Sequence, residues 1–193
     1  MVKTMSDKGK LVVISAPSGC GKGTILSRLF EIDKENDNEF VLSISMTTRA
    51  PRGSEQNGVE YFFATREEFE ELIAKDQFVE YAQFNGNYYG TPKPFIEKCK
   101  EEGKTVFLEI EVQGAAKVRE KVPDSVSIFI LPPSLEELEK RLRGRQTDDP
   151  EAIAGRLAIA PIELARQNEF DYRVVNDDVD RASYEIYNII KNL

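Results

Sequence analysis

The residues best suited to chemistry lie near the start of the chain, in a run of small residues that contains a lysine. Residues 14–24 have the sequence Ile-Ser-Ala-Pro-Ser-Gly-Cys-Gly-Lys-Gly-Thr. Gly19 and Gly21 have no Cβ, so the backbone N–H groups of this stretch can turn toward one point and bind an anion. Lys22 adds a positive charge at the same place. The pattern predicts a P-loop, a cradle for the phosphates of a nucleoside triphosphate.

The flanking residues supply the strand and helix that such a loop needs. The apolar run 11–14 is typical of a buried strand, and apolar residues recur at helical spacing over 25–30. A helix that begins near Lys22 would point its positive dipole end at the phosphates. A glycine-rich turn with an incidental lysine is the alternative, and the flanking elements make it the weaker one.

Two positions depart from the pattern G-x-x-x-x-G-K-[ST]. Ala16 replaces the first glycine, and Gly23 replaces the hydroxyl residue that binds magnesium. Thr24 is the next hydroxyl, so we expect Mg²⁺ to be held mainly through phosphates and water, with Thr24 as a candidate contact. The predicted ATP contacts of the loop are Ala16, Pro17, Ser18, Gly19, Cys20, Gly21, Lys22, Gly23 and Thr24.

The two cysteines bear on compartment and on reactivity. Cys20 and Cys99 are too few for a disulfide framework and are compatible with a reducing cytosol. Cys20 lies next to oriented backbone donors and close to Lys22, conditions that favour a thiolate. We therefore expect Cys20 to be alkylated faster than Cys99 and to be shielded by ATP.

The overall composition excludes several classes of protein. The chain has 193 residues and a formal net charge of −8, which argues against a nucleic-acid-binding surface. Histidine is absent, which removes the commonest general base and zinc ligand. Phosphoryl transfer needs neither, because it depends on positioning and charge neutralisation. No apolar stretch approaches the roughly 20 residues of a membrane span, and the polar start is unlike a secretory signal. We expect a cytoplasmic protein that binds small molecules.

A second group of polar residues lies in the middle of the chain. Arg49 and Arg52 are three apart on a loop rich in proline and glycine, and guanidinium groups match phosphate oxygens. Tyr61 and Tyr89 could donate to the same phosphate. Two loop arginines alone are more commonly solvated surface residues. The accompanying P-loop favours a second phosphate site.

Base recognition has a candidate in Glu80. A carboxylate can accept from N1–H and N2–H₂ of guanine, two adjacent donors that adenine does not offer. Glu80 lies between Val79 and Tyr81 in a strand pattern, and the Ser45 hydroxyl is a second candidate. The polar face of an ordinary strand is the alternative for Glu80 and, taken alone, the commoner one.

These motifs resemble those of the guanylate kinases. Residues 47–62, TTRAPRGSEQNGVEYF, are similar to the nucleotide-monophosphate loop of that family. The further matches, in order, are Asn87-Tyr88-Tyr89-Gly90, Glu111-Val112-Gln113-Gly114 and Val175-Asn176-Asp177-Asp178. The resemblance spans nearly the whole chain. It implies ATP-dependent phosphorylation of GMP, and of dGMP, with Mg²⁺, a P-loop core, a GMP-binding insertion and a mobile lid.

The resemblance also assigns residues by position. The GMP side comprises Ser45, Glu80, Thr91 and Glu109 for the base, and Arg49, Arg52, Tyr61 and Tyr89 for the phosphate. The further ATP contacts are Arg141 and Asn176, and the catalytic charges are Lys22, Arg49, Arg145 and Arg156. The family commonly has Asp-Ile-Asp where this chain has Glu109-Ile110-Glu111. The extra methylenes leave their roles open between base contact and water-mediated contact with Mg²⁺, for which Glu111 is a candidate.

Simple surface pairing competes with some of these assignments. Arg141 and Arg143 each follow a glutamate by four residues, a helix-surface spacing, and we expect Arg143 to be such a pair. Arg145 and Arg156 have no acidic residue four positions before them, which favours phosphate contact. Asn176 would lie beside the adenine, or alternatively serve as a turn residue.

Strands alternating with helices predict an α/β fold, a parallel sheet flanked by helices, with a small mostly-β insertion. The resemblance adds a helical lid. We expect core at 1–43, the GMP-binding insertion at 44–90, core at 91–142, the lid at 143–160 and core at 161–193. Local expectations are a strand over 40–46, a capping box from Thr65 to Glu68, a hairpin turn at Asn85-Gly86, a strand over 105–111 and Gly144 as a C′ residue.

Two other functions fit parts of the sequence. A guanylate-kinase-like domain that only binds proteins would be expected to lose Lys22 or the lid arginines, and this chain has both. A GTPase switch would need an Asn-Lys-x-Asp motif, which Asn176-Asp177-Asp178 does not provide. For the kinase we expect ATP and GMP as partners and either a monomer or a homodimer.

Overall fold

The structure is a computed structural model that describes residues 9–37, 39–144 and 150–193. The strands are β1 Leu11–Ser15, β2 Phe40–Leu42, β3 Met46–Thr47, β4 Phe62–Phe63, β5 Phe78–Phe84, β6 Asn87–Pro92, β7 Thr105–Glu109, β8 Val126–Leu131 and β9 Tyr172–Val175. The helices are α1 Lys22–Asn36, α2 Arg66–Ala74, α3 Lys93–Glu101, α4 Val112–Lys121, α5 Leu135–Arg143, α6 Pro150–Ala165 and α7 Val179–Lys191.

These strands form two sheets. The larger one is parallel and has the order β2-β7-β1-β8-β9. Its central strands are apolar on both faces because helices cover both, and β1 is buried throughout. The smaller sheet has the order β4-β3-β6-β5, with β6 antiparallel to both of its neighbours. The predicted α/β class is confirmed.

The chain forms two compact units. The first contains the described residues up to Val12 together with Val41–Leu108 and Gln113–Ser125. The second contains Val13–Phe40, Glu109–Val112 and Val126–Leu193. The segment 44–90 therefore lies entirely in the first unit. The functional boundaries expected for the insertion and the lid stay predictions.

Two local predictions are confirmed in the smaller sheet and its helix. Thr65 Oγ1 accepts from the Glu68 N–H at 3.1 Å, and Glu68 Oε2 accepts from the Thr65 N–H at 2.7 Å, a reciprocal capping box. Asn85 and Gly86 connect β5 to β6 with φ of 47° and 78°. Both values lie in the left-handed region, as expected for an Asn-Gly hairpin turn.

Three other local predictions are wrong. The run 40–46 is not one strand, because β2 belongs to the larger sheet and β3 to the smaller. The Ser43 N–H donates to the Phe107 carbonyl of the larger sheet, whereas the Ser45 carbonyl accepts from the Phe62 N–H of the smaller one. β7 ends at Glu109 and α4 begins at Val112, so Glu109 and Glu111 do not share a strand face. Gly144 has φ of −73° and continues the helical backbone, so it is not a left-handed C′ residue.

No helix among the described residues is long and apolar enough to cross a membrane.

Candidate active site

The P-loop runs from the end of β1 to the start of α1. Gly19 and Gly21 have φ of +93° and +81°, a conformation that suits glycine. A Cβ on Gly21 would also lie 2.5 Å from Nδ2 of Asn176. None of the described side chains caps the start of α1, which leaves its first N–H groups for an anion. Within the loop, Ala16 and Pro17 are buried, whereas Ser18 and the first-turn residues Gly23 and Thr24 are exposed.

Asn176 braces this loop from the end of β9. Its side chain is buried, and Nδ2 donates to the Cys20 carbonyl at 2.7 Å. Its main-chain carbonyl accepts from Nη2 of Arg141 at 3.1 Å. Arg141 also pairs with Glu137, the helix-surface pair that its spacing suggested. The polar contacts of Asn176 thus support the backbone of the phosphate cradle, a role that the sequence did not reveal.

Two acidic side chains, Glu109 and Glu163, interact with Lys22. Its Nζ lies 4.0 Å from Oε1 of Glu109, so the structure places Glu109 beside the P-loop lysine. Glu163 of α6 is a residue that sequence reasoning missed. Burial and then the charge of Glu111 raise the pKa of Glu163, while Lys22 lowers it. Glu163 lies seven residues after Arg156, a spacing that puts both side chains on one helix face. This spacing is the sequence signal that could have identified Glu163.

One of the predicted phosphate arginines reaches the loop. Nη1 of Arg156 in α6 donates to Oγ of Ser18 at 3.0 Å. Arg143 pairs with Glu139 at 2.7 Å, as expected from the spacing. Arg145 lies outside the described residues.

The expectation of a reactive Cys20 is wrong. Its side chain is 1% exposed, and burial raises the pKa of the thiol to about 12, outweighing the positive charges of Arg141 and Lys22. Cys99 is buried as well, and burial raises its pKa too. Oriented backbone donors activate a thiol only where it faces them, and the Cys20 side chain is enclosed instead.

The oxygen donors near the P-loop fit a hydrated Mg²⁺. The hydroxyl of Ser15, at the end of β1, is buried and has no hydrogen-bond partner among the described residues. Thr24 and Glu111 are exposed oxygen donors of the same unit. Within the described ranges no group of three or more His, Cys, Asp or Glu residues could hold a metal by itself. Mg²⁺ characteristically keeps several waters and binds through phosphates, which suits such a sparse donor set.

The first unit gathers the predicted phosphate residues of the monophosphate. Nη2 of Arg49 lies 3.0 Å from Oε1 of Glu55, and its guanidinium carbon lies 5.4 Å from the centre of the Tyr61 ring. The Tyr61 and Tyr89 rings are 6.1 Å apart. Arg52 is exposed, and its backbone N–H donates to Oε2 of Glu55 at 2.7 Å. Glu55, whose pKa Arg49 lowers, orients this loop and was not identified from the sequence.

Glu80 is half-buried in β5 and accepts a hydrogen bond from the neighbouring strand. Oγ1 of Thr91, itself buried, donates to Oε1 of Glu80 at 2.8 Å. Burial raises the pKa of Glu80, whereas the bond from Thr91 and the charges of Lys117 and Lys121 lower it. Ser45 is half-buried, and its carbonyl accepts from the Phe62 N–H at 2.9 Å.

Comparison with known proteins identifies the family. The family model described as guanylate kinase matches residues 8–193. The chain belongs to the guanylate kinase family. It is 52% identical over 187 residues to the guanylate kinase of Streptococcus pneumoniae, covering 97% of this chain and 88% of that protein. The guanylate kinase of Lactococcus lactis is 51% identical over 187 residues, covering 97% and 89%.

A solved guanylate kinase has the same fold. The crystal structure of guanylate kinase from Anaplasma phagocytophilum aligns with a TM-score of 0.72 and 35% identity, covering 96% of this chain and 86% of that one. Guanylate kinases phosphorylate GMP to GDP, and this member of the family is accordingly a phosphotransferase.

Proposed function

We propose that the protein transfers the γ-phosphoryl group of Mg²⁺-bound ATP to GMP and to dGMP, with ATP held by residues of the second unit and GMP by residues of the first. A phosphate oxygen of GMP forms the new P–O bond, and the bond from the γ-phosphorus to the β–γ bridging oxygen breaks. Charge then spreads over the transferring oxygens, so catalysis is mainly positioning and neutralisation.

The ATP side rests on the P-loop and its neighbours. The backbone of residues 16–24 cradles the phosphates, and Lys22 and Arg156 neutralise their charge. The same role is assigned to Arg145, which is not among the described residues. Arg141 and Asn176 act on the same nucleotide, and the bond from Asn176 to Cys20 supports a role in shaping its cradle. Mg²⁺, when bound, neutralises phosphate charge, with Ser15, Thr24 and Glu111 contacting its waters or the ion.

Most residues assigned to the GMP side belong to the first unit. Arg49, Arg52, Tyr61 and Tyr89 bind the phosphate, and the pairing of Arg49 with Glu55 supports this by fixing the guanidinium. Ser45, Glu80 and Thr91 bind guanine. Glu109 is assigned to the guanine side by the family resemblance, and its position beside Lys22 supports the alternative of a water-mediated contact with Mg²⁺.

The observation that carries the choice of base is the half-buried carboxylate of Glu80, which accepts a hydrogen bond from Oγ1 of Thr91. Burying a carboxylate is unfavourable unless hydrogen-bond donors meet it. Guanine offers N1–H and N2–H₂ together, whereas N1 of adenine is an acceptor. AMP would place two acceptors face to face and leave them unpaired.

Replacing Glu80 tests this assignment. Glu80→Gln keeps the shape and exchanges one acceptor for a donor, so kcat/KM for GMP should fall by about 10²-fold or more at saturating ATP. The value for AMP should stay flat or rise, because the amide can donate to its N1. Glu71→Gln, an exposed glutamate of α2, is the matched control. An equal fall for both monophosphates would make Glu80 structural.

The same proposal extends to the cellular setting. Two buried free cysteines are compatible with a reducing compartment, which supports a cytoplasmic enzyme that acts on small molecules.

A further inference from the structure

The strand that carries Glu80 lies at the edge of its sheet and contains a bulge. β5 pairs with β6, and its other side has no partner strand in this four-stranded sheet. Phe78 opposes Pro92 and Glu80 opposes Thr91, so two steps along β5 match one along β6. A bulge of this kind bends a strand and re-aims the side chain beside it. Here that side chain is Glu80.

Two lysines of α4 hold the free side of this bulge. Nζ of Lys121 donates to the Phe78 carbonyl at 3.2 Å, and Nζ of Lys117 donates to the Tyr81 carbonyl at 3.1 Å. The two acceptors flank Glu80 in the strand. The lysines are four residues apart and so lie on one face of the helix. Unpaired edge carbonyls are good acceptors, and an ammonium donor makes the stronger class of hydrogen bond.

We propose that Lys117 and Lys121 are positioning residues for guanine recognition: they fix the bulge of β5 and so keep the Glu80 carboxylate aimed at the base. This inference rests on the proposed role of Glu80 as the guanine-binding carboxylate. The lysines act through Glu80, and neither is assigned a contact with substrate.

Their charge has a consequence for pH dependence. The charged groups that act on Glu80 are Lys117 and Lys121 of α4, and the facing residue of β6, Thr91, is a neutral donor. Both lysines lower the pKa of Glu80 against the effect of burial. Removing one of the lysines raises the pKa of Glu80 further. As the pH falls, Glu80 is then protonated sooner, and the loss of activity with GMP begins at a higher pH.

Lys117 is the better position to test, because Lys121 also pairs with Asp76 at 3.1 Å. Lys117→Met removes donor and charge, Lys117→Gln keeps a donor and removes the charge, and Lys117→Arg keeps both. Lys75→Met is the matched control, since Lys75 pairs with Glu71 on α2 and does not act on Glu80. The measurements are KM for GMP, KM for ATP and the pH profile of kcat/KM for GMP.

Lys117→Met should raise KM for GMP about tenfold, the effect of losing one charge-assisted hydrogen bond, and leave KM for ATP unchanged. Its acidic limb should move to higher pH, because the charge that lowers the pKa of Glu80 is gone. Lys117→Gln should show the same shift of the acidic limb but a nearly normal kcat/KM for GMP on the alkaline plateau. Lys117→Arg should have a normal KM for GMP and an unshifted acidic limb. A Lys117→Met enzyme that behaves like Lys75→Met, or that only melts earlier with an unshifted pH limb, would overturn the inference.

The Glu80→Gln background separates this inference from the proposed function. With Glu80 neutralised, Lys117→Met should no longer shift the acidic limb. If Glu80→Gln retains GMP selectivity, the assignment of the base fails whatever the lysines do. If Glu80→Gln loses selectivity while the Lys117 variants match wild type, the assignment of Glu80 stands and the lysine inference fails.

Discussion

Among single side chains, Lys22 carries the largest expected effect on catalysis. Its ammonium lies 4.0 Å from the Glu109 carboxylate, at the start of α1. We expect Lys22→Ala to lower kcat by about 10²-fold or more, because a fixed charge at the transferring group is a large catalytic contribution. Turnover assays paired with urea unfolding measure this. Near-normal turnover of a stable variant would remove Lys22 from the mechanism.

The thiol of Cys20 should react slowly with alkylating reagents. Because burial raises its pKa to about 12, the thiol stays protonated through neutral pH and only charges as the pH approaches that value. Iodoacetamide should therefore modify Cys20 in the native protein at least about 10²-fold more slowly than in urea at about pH 8. Peptide mass spectrometry distinguishes it from Cys99. Equal rates in the native and unfolded protein would contradict the burial.

The helix α2 begins with the capping box formed by Thr65 and Glu68. Thr65→Ala removes the acceptor for the Glu68 N–H, so we expect the free energy of unfolding to fall by about 1 kcal/mol. Thr65→Ser keeps the oxygen and should recover most of it. Urea titration monitored by circular dichroism gives both values. An unchanged midpoint for Thr65→Ala would show that packing alone holds the helix start.

Gly90 tests the packing of β6 against its neighbours. A Cβ there would lie 2.9 Å from Cδ1 of Phe78 and from Cβ of Tyr81, and 3.0 Å from Cζ of Phe69. The Phe69 and Phe78 rings are stacked 4.3 Å apart, so neither can yield easily. Gly90→Ala should cost about 1–3 kcal/mol in the free energy of unfolding.

Gly155 is the matched control for Gly90. It lies in α6 with nothing within 4 Å of the added methyl group, so Gly155→Ala should be neutral or slightly stabilising. If the two alanine variants unfold at the same urea concentration, the close approach at Gly90 has no energetic weight.

Elements with a local cause could be predicted from the sequence, and those with a distant partner could not. The capping box at Thr65 and the turn at Asn85-Gly86 depend on residues next to them in the chain. The break after Leu42 depends on which sheet each half joins, and an alternating pattern has no information about that. The strand ending at Glu109 likewise reflects where α4 begins.

The candidate site divides in the same way. The P-loop was evident because its glycines, lysine and helix start are contiguous. Glu55, Glu163 and the brace from Asn176 to Cys20 depend on loops and elements brought together by folding. The burial of Cys20 was missed because the motif indicates what surrounds the backbone, and the direction of the side chain is set by tertiary packing.

At the scale of the whole molecule, each nucleotide should stabilise the fold through its own set of residues. A ligand at about 100 times its dissociation constant adds about 2.7 kcal/mol, so Mg²⁺–ATP and GMP should each raise the melting temperature. Glu80→Gln should lose the shift from GMP and keep the shift from ATP, because Glu80 belongs to the first unit and the P-loop to the second. Calorimetric melts with each ligand measure this. Loss of both shifts would mean that the substitution damages the fold.

The bond between Asn176 and Cys20 joins positions 156 residues apart, and this separation affects how the protein is made. The helix that follows the P-loop is also held by late residues, since Arg28 meets Asp180 and Ser183 donates to the Ile25 carbonyl. A chain emerging from the ribosome exposes its P-loop 156 residues before it exposes the asparagine that braces this loop. Nascent chains stalled before residue 176 should therefore bind ATP poorly. Nucleotide binding would begin only after β9 and α7 have left the exit tunnel.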